Sequence, residues 1–220
     1  MIPEKHTSRL IRATNLSPST SEVSLTRPAG FTFLPGQRIR FLHQGLQRDY
    51  TMISGPQENQ IRLCIHHVAG GQFSGILISA PEGTGFTFTG PHGYFQFAAS
   101  DRQAVFVATG TGIAPFVAFV QNHVSGFILL HGVPDPAEQY YKQQLSHAAS
   151  LYVPCFSRIS GTHDKASTGF HGRVTDYLEA VLPLDVYDFY LCGKPEMISD
   201  SLQIIDERFP ASKVFTESYE

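Results

Sequence analysis

The stretch "AVFVATGTGIAPF", residues 104–116, decides how the chain is read. Its first five residues are apolar without alternation, the pattern of a strand buried on both faces. Gly110, Thr111 and Gly112 then break the run, and a helix-like segment, "IAPFVAFVQNHV", follows with Pro115 in its first turn. Glycines let a backbone approach a ligand closely, and a helix N-terminus offers unpaired N–H groups and a positive dipole end. Both suit a pyrophosphate. The run is not a full dinucleotide fingerprint, because Ala114-Pro115 stands where the last glycine would be. On these residues alone, a tight strand-to-helix turn without a ligand explains it equally well.

Downstream the same texture repeats. "GFILLHG" (126–132) leads into "PAEQYYKQQLSHA"; "LYVPCFS" (151–157), "VTDYLEAVL" (174–182), "YDFYLCG" (187–193) and "PEMISDSLQIIDERF" (195–209) follow. Apolar strands alternating with helices predict a parallel sheet covered on both faces. "YLCGKPEM" ends a second strand in Leu191-Cys192-Gly193, with Pro195 opening a helix. Ligands of such sheets sit at the carboxyl ends of the strands, so two glycine-bearing ends point to one crevice. Cys192 by itself reads as a small buried hydrophobe. The loop "CFSRISGTHDKASTGFHGRV" (155–174) contains Ser157, Arg158 and Arg173, which would hold a phosphate or simply face solvent.

Upstream the chain is different. "EVSLTR" (22–27), "QRIRFLH" (37–43), "DYTMIS" (49–54), "QIRLCIHHV" (60–68) and "GFTFTG" (85–90) are short and rich in β-branched and aromatic residues. Turn sequences, among them "RPAG", "LPGQ", "PEGTG" and "GPHG", separate them, which predicts a closed antiparallel barrel or sandwich. "GQFSGILISA" (71–80) interrupts with helical spacing. The change at "AASDRQ" (98–103) places a boundary near residue 100, giving an all-β domain over 1–100 and an α/β domain over 101–220. A chain of 220 residues suits two domains of about 100 each.

The net charge of −3, with Lys and Arg scattered, gives no electrostatic case for nucleic acid or an anionic membrane. No apolar run suggests a signal peptide or a membrane span. Three distant cysteines, Cys64, Cys155 and Cys192, argue against a disulfide framework, a metal site or an iron–sulfur cluster. A reduced, cytoplasmic setting is the default expectation.

Two short stretches of the β half bear on chemistry. In "RDYTMIS" (48–54) Arg48, Tyr50 and Met52 share one face of a strand and Thr51 the other. A guanidinium for phosphate, a flat ring for stacking and a hydroxyl for a heterocycle edge would serve a planar cofactor with a phosphate tail. In "AGGQFSG" (69–75) two glycines and Ser74 open a helix, a second anion cradle.

Arg48-Asp49-Tyr50-Thr51 resembles the flavin-binding R-x-Y-[ST] signature of the ferredoxin–NADP reductase family, and Gly70-Gly71-Gln72-Phe73-Ser74 its G-x-x-[ST] pyrophosphate loop. "LPGQ" and "GPHGYF" match its barrel landmarks. "ATGTGIAPF" is similar to its nicotinamide-nucleotide loop, and Cys192-Gly193 with Met197 to its C-G-x-x-x-M segment. The resemblance runs through nearly the whole chain, in order.

It implies an antiparallel Greek-key barrel that binds flavin, followed by a Rossmann-like domain that binds nicotinamide nucleotide, with the reactive rings meeting between them. Arg48 would bind phosphate, with Asp49 beside it in the signature. Tyr50 would pack on the isoalloxazine, and Thr51 would lie near N5. Gly71, Gln72, Phe73 and Ser74 would bind the pyrophosphate, and Ile65, His66 and His67 would lie on the adenine side. Thr109, Gly110, Thr111, Gly112 and Pro115 would hold the nicotinamide nucleotide, Thr111 also reaching the flavin. Cys192, Gly193 and Met197 would line its pocket, with Glu217, and Tyr219 would cover the flavin face that nicotinamide must reach. Thr51, Cys192, Glu217 and Tyr219 thus become the expected catalytic set. FAD fits better than FMN. Ser157, Arg158 and Arg173 resemble 2′-phosphate contacts and favour NADP, while Pro134, where many relatives carry arginine, leaves NAD open. The implied reaction is hydride exchange between NADP(H) and bound FAD, then electron passage to a separate carrier: ferredoxin, flavodoxin or an oxygenase component. A free-flavin reductase or a flavin-binding subunit of a larger complex is the alternative.

Overall fold

The computed structural model describes residues 4–67, 71, 73–158 and 169–219. They form two compact units. One comprises the residues up to Phe97 together with Ala114–His123; the other comprises Ala98–Ile113 and Val124 onward.

The first unit is a six-stranded antiparallel sheet: β1 (Lys5–Ser17), β2 (Thr20–Thr26), β3 (Arg38–His43), β4 (Leu46–Thr51), β5 (Gln60–His66) and β6 (Gly85–His92), in the order β4-β3-β6-β1-β2-β5. Its two ends approach one another. Just past β4, Met52 bridges Leu63 of β5, and the Ile53 N–H donates to the Arg62 carbonyl at 2.9 Å. The sheet therefore curls into a barrel, filled by Leu10, Val23, Leu25, Ile39, Phe41, Leu63, Phe86 and Phe88 among others. Each large apolar side chain so buried contributes roughly 1.5–3 kcal/mol relative to exposure.

Strand β1 has no counterpart in the sequence reading. Lys5–Arg9 pair with β6 and Leu10–Ser17 with β2, with a register shift between Leu10 and Arg12 where the partner changes. Such an irregularity bends a strand around a barrel corner. Most of its later residues are exposed or half-buried, so no apolar alternation marked it. Helix α1 (Ser74–Ser79) follows β5 as the spacing predicted.

The second unit is a parallel sheet: β7 (Gln103–Thr109), β8 (Ile128–Val133), β9 (Leu151–Phe156), β10 (Phe170–His171), β11 (Tyr187–Gly193) and β12 (Lys213–Ser218), in the order β10-β9-β8-β7-β11-β12. A 3-10 turn, Gly110–Ile113, follows β7 and passes into α2 (Ala114–Gln121), whose residues group with the first unit. Helices α4 (Val174–Ala180) and α5 (Pro195–Arg208) bury Val174, Leu178, Met197, Ile198 and Ile205 with Val105, Val107, Leu130, Phe189 and Leu191 of the sheet.

Three expectations need correction. "PAEQYYKQQLSHA" is not one helix: a 3-10 turn (Pro136–Glu138) and a left-handed Tyr141 (φ 58°) precede α3 (Lys142–Ala148). Pro136 starts the first piece, and a left-handed residue cannot continue a right-handed helix. Strand β10, two residues long, lay inside what read as loop. The C-terminal "KVFTES", which the sequence reading assigned to no strand, is an edge strand paired in parallel with β11 over six residues. Its half-exposed, partly polar face concealed it.

Candidate functional site

In the first unit the expected residues gather on β4. Arg48 stands opposite Phe41 of β3, Asp49 opposite Arg40, Tyr50 opposite Ile39 and Thr51 opposite Arg38. Arg48 and Tyr50 share one face, as alternation requires. Tyr50 is half-buried, with its ring 5.9 Å from Phe41 and 6.2 Å from Phe73. Burial pushes its phenol up to about 12 against the opposing charge of Arg48, so it stays neutral. Arg48 is exposed; its Nη1 donates to the neighbouring Gln47 carbonyl at 2.7 Å.

Asp49 is committed elsewhere. Its carboxylate accepts from Arg40 Nε (2.6 Å) and Nη2 (2.8 Å) and from Arg38 Nε (3.0 Å). Burial alone would raise this carboxyl, but the two guanidiniums outweigh it and hold it below its ordinary value. Its charge therefore fastens β4 to β3. Thr51 is buried, and its Oγ1 has no hydrogen-bond partner among the described residues. A buried hydroxyl left without a partner is costly in a finished fold.

The other expected flavin residues divide by side chain and backbone. Ile65 and Phe73 are core residues, 1% and 3% exposed, so only their backbone can face a ligand. His66 Nδ1 lies 3.3 Å from Ser19 Oγ, and His67 Nε2 lies 2.8 Å from Ser21 Oγ. Gly71 is half-buried, and Ser74 is buried as the first residue of α1, a helix without a side-chain cap. Gln72 lies outside the described residues.

In the second unit the two glycine-bearing strand ends pack directly on one another. Gly110 is left-handed (φ 53°) with open space where a Cβ would be. A Cβ on Gly112 would overlap the Cys192 carbonyl, and one on Gly193 (φ 146°) the Thr109 hydroxyl. That hydroxyl accepts from the Lys194 N–H at 3.2 Å. Thr111 is half-exposed on the turn between them, and Pro115 is buried in α2.

Cys192 is completely buried, and burial pushes its thiol well up; the Glu217 carboxylate adds to this and a hydrogen bond with Tyr219 opposes it. It is therefore a neutral thiol. Cys192 pairs with Glu217 across β11 and β12, Gly193 with Ser218, and the Tyr219 N–H donates to the Gly193 carbonyl at 2.9 Å. Met197 is buried in α5, its Sδ accepting from Ser201 Oγ at 3.5 Å. Thr109, Gly110, Gly112, Cys192, Gly193, Glu217 and Tyr219 are thus brought together at the carboxyl ends of β7, β11 and β12.

Ser157 and Arg158 are exposed at the end of β9, where their N–H groups donate to the carbonyls of Val133 (3.1 Å) and Pro134 (2.9 Å). Arg173 is exposed at the N-cap of α4, its N–H bonded to Asp176 Oδ2 at 2.7 Å. Sequence reasoning passed over His131, a buried histidine on β8 hydrogen-bonded to Tyr152. A single histidine in an apolar strand carries no signal of its own. Among the described residues no cluster of side chains could hold a metal ion, and no helix is long and apolar enough to cross a membrane.

Comparison with known proteins finds two domain families in the chain. An oxidoreductase FAD-binding domain family matches residues 7–97, and an oxidoreductase NAD-binding domain family matches residues 106–203. The chain is 31% identical to protein RfbI of Salmonella typhimurium over 179 residues, covering 77% of this chain and 53% of that one. It is 30% identical to the toluate 1,2-dioxygenase electron transfer component of Pseudomonas putida over 203 residues, covering 86% and 60%. The chain spans about half the length of the curated relatives it matches. A ferredoxin NADP+ reductase from Neisseria gonorrhoeae with bound FAD and NADP superposes with a TM-score of 0.82 at 19% identity, over 97% of this chain and 98% of that one. At that identity the likeness speaks for the fold.

The residues present fit both groups. A flavin edge would supply the partner that the buried Thr51 hydroxyl lacks among the described residues, next to the aromatic Tyr50 and the exposed guanidinium of Arg48. A Cβ on left-handed Gly110 would meet nothing within 4 Å, so the backbone of the turn is open there to a ligand such as a phosphate.

Proposed function

Because the chain belongs to the ferredoxin–NADP reductase family, with FAD-binding and NAD-binding domains in tandem, we propose that it is a flavin-dependent oxidoreductase. It would exchange a hydride with NADP(H), NAD(H) remaining a substrate, and pass electrons to or from a separate one-electron carrier such as ferredoxin, flavodoxin or an oxygenase component. The observation that carries this reading is the buried Thr51 hydroxyl, without a partner among the described residues, on the strand that presents Tyr50 and Arg48.

A bound flavin supplies the ring that accepts a hydride and releases electrons singly. The protein's part is binding and alignment. Arg48 neutralises phosphate charge, Tyr50 offers its ring as a platform, and Thr51 gives a hydrogen bond to the heterocycle edge. The Gly110–Ile113 turn offers N–H groups to the dinucleotide, while Arg158 and Arg173 supply positive charge and Ser157 a hydroxyl for a 2′-phosphate. Cys192, neutral and buried, keeps the floor of the nicotinamide site free of charge. Tyr219, held beside Gly193 just past β12, would supply the aromatic ring that nicotinamide displaces. Three free, buried cysteines fit a reducing cytoplasm.

The test is the absorption spectrum of the purified protein, titrated anaerobically with NADPH and then NADH. Flavin bands that persist through desalting and bleach on titration support the reading. A colourless protein that oxidises NAD(P)H only when free flavin is added points to a free-flavin reductase. A flavin-loaded protein that does not reduce ferricyanide is a subunit that depends on a partner.

A further inference from the structure

Two apolar side chains of the barrel face solvent from turns that are tied to one another. Tyr94 is 97% exposed and Leu34 52%. The Gln37 side chain joins their turns: it accepts from the Leu34 N–H at 2.8 Å and donates to the Gly93 carbonyl at 3.3 Å. The Gln37 N–H closes the first turn on the Leu34 carbonyl at 3.1 Å. Gly36 (φ 92°) packs so closely on the second that a Cβ there would overlap the Phe95 carbonyl. A tyrosine displayed in this way buries almost no area, so it contributes almost nothing to folding. An aromatic ring on a fixed backbone is instead the kind of anchor that protein interfaces use.

The rim of this corner is cationic. Arg38, next to Gln37, pairs with His92 of β6, two residues before Tyr94. Arg38 and Arg40 share the carboxylate of Asp49, so two guanidiniums and one carboxylate leave one positive charge among these three. Burial and the two arginines lower the pKa of His92, which is neutral at pH 7 and adds no charge. No Asp or Glu occurs between Glu22 and Asp49, or between Glu82 and Asp101, the stretches that build this corner. The chain as a whole carries −3. An acidic partner is therefore repelled by the molecule overall and drawn to this corner. Thr51 stands opposite Arg38 on β4, one strand spacing away, about 4.8 Å.

We propose that Leu34 and Tyr94, rimmed by Arg38 and Arg40, form the surface on which an acidic one-electron carrier protein docks, with its redox centre brought beside the flavin edge at Thr51. The proposal rests on the reading of β4 as the flavin strand. No bond to the carrier forms or breaks. One NAD(P)H and two oxidised carriers give NAD(P)+, two reduced carriers and one proton, so each hydride needs two dockings.

The probe is an acidic [2Fe–2S] ferredoxin, with ferricyanide as a small acceptor that needs no docking surface. Flavin-loaded wild type is compared with Tyr94→Ser, Leu34→Ser and Tyr94→Phe, and with Leu184→Ser at an exposed apolar residue of the second unit. The KM for ferredoxin should rise about tenfold in Tyr94→Ser and about threefold in Leu34→Ser. Tyr94→Phe and Leu184→Ser should stay within about twofold of wild type, as should ferricyanide reduction and flavin content in every variant. In wild type the KM for ferredoxin should rise with ionic strength, because salt screens the attraction. Unchanged KM in both Tyr94→Ser and Leu34→Ser overturns the proposal, as does a KM that falls with salt. An equal rise in Leu184→Ser, or loss of flavin from Tyr94→Ser, overturns it too. So does a wild type that reduces ferricyanide but neither reduces nor binds the ferredoxin. A wild type that takes no electrons from NAD(P)H overturns the functional reading instead. The Kd for ferredoxin, measured by calorimetry, then decides the surface, with the same tenfold rise expected in Tyr94→Ser.

Discussion

Tyr219 is tied to Gly193 by a 2.9 Å hydrogen bond between its backbone N–H and the Gly193 carbonyl. The bond extends the pairing of β12 with β11, in which Cys192 faces Glu217. The backbone of the last aromatic residue is therefore anchored to β11, and its side chain lies against Cys192. Tyr219→Ser should keep that anchor and leave stability within about 1 kcal/mol of wild type. It should shift the Kd for NAD(P)H by about tenfold or change the preference between NADPH and NADH. Stopped-flow titration measures both, and unchanged kinetics would remove Tyr219 from the site.

Thr51→Val separates a structural from a functional role. The Thr51 hydroxyl has no partner among the described residues, so removing it should leave the flavin-free protein as stable as wild type or stabilise it by about 1–2 kcal/mol. The flavin-loaded variant should be reduced by NAD(P)H about tenfold more slowly, the equivalent of one lost hydrogen bond. A destabilised apoprotein with unchanged reduction would reverse the assignment.

Acid should find His131. Burial holds its folded pKa at about 4, below the ordinary 6.5. As pH falls below 6.5 the unfolded chain takes up the proton first, so the contribution is complete above 6.5 and is lost progressively towards pH 4. The full shift corresponds to about 3 kcal/mol. His131→Phe should show a flatter stability profile across that window, measured by urea unfolding at pH 7, 5.5 and 4.5. Parallel profiles would mean that His131 is not buried neutral.

The thiols should be silent in the folded state. Cys64, Cys155 and Cys192 are all free and buried; burial, reinforced by the Asp176 carboxylate, pushes Cys155 up to about 12, and Cys192 is raised as well. Reactivity follows the thiolate, so a disulfide reagent at pH 8 should find essentially none until denaturant exposes all three. One fast-reacting thiol in the native protein would contradict the burial of that residue.

The parts legible from sequence were those encoded over short spans. Arg48 to Thr51 are contiguous, Thr109 to Pro115 nearly so, and alternation or apolar runs marked five of the six barrel strands and most of the parallel sheet. Strand β1 was invisible because its logic is its change of partner near Leu10, and β12 because only β11 makes it a strand. Asp49 looked like part of a ligand signature until β3 brought Arg38 and Arg40 to its carboxylate.

Local chemistry thus sufficed to announce an aromatic platform, a guanidinium and two glycine turns, since each depends on neighbours within a few residues along the chain. Tertiary structure alone decided the protonation of Cys192, the complete burial of His131 and the lack of a partner for the Thr51 hydroxyl among the described residues. Those properties belong to the dielectric and the hydrogen-bond partners around an atom, and the groups that supply them are dozens of residues away in sequence.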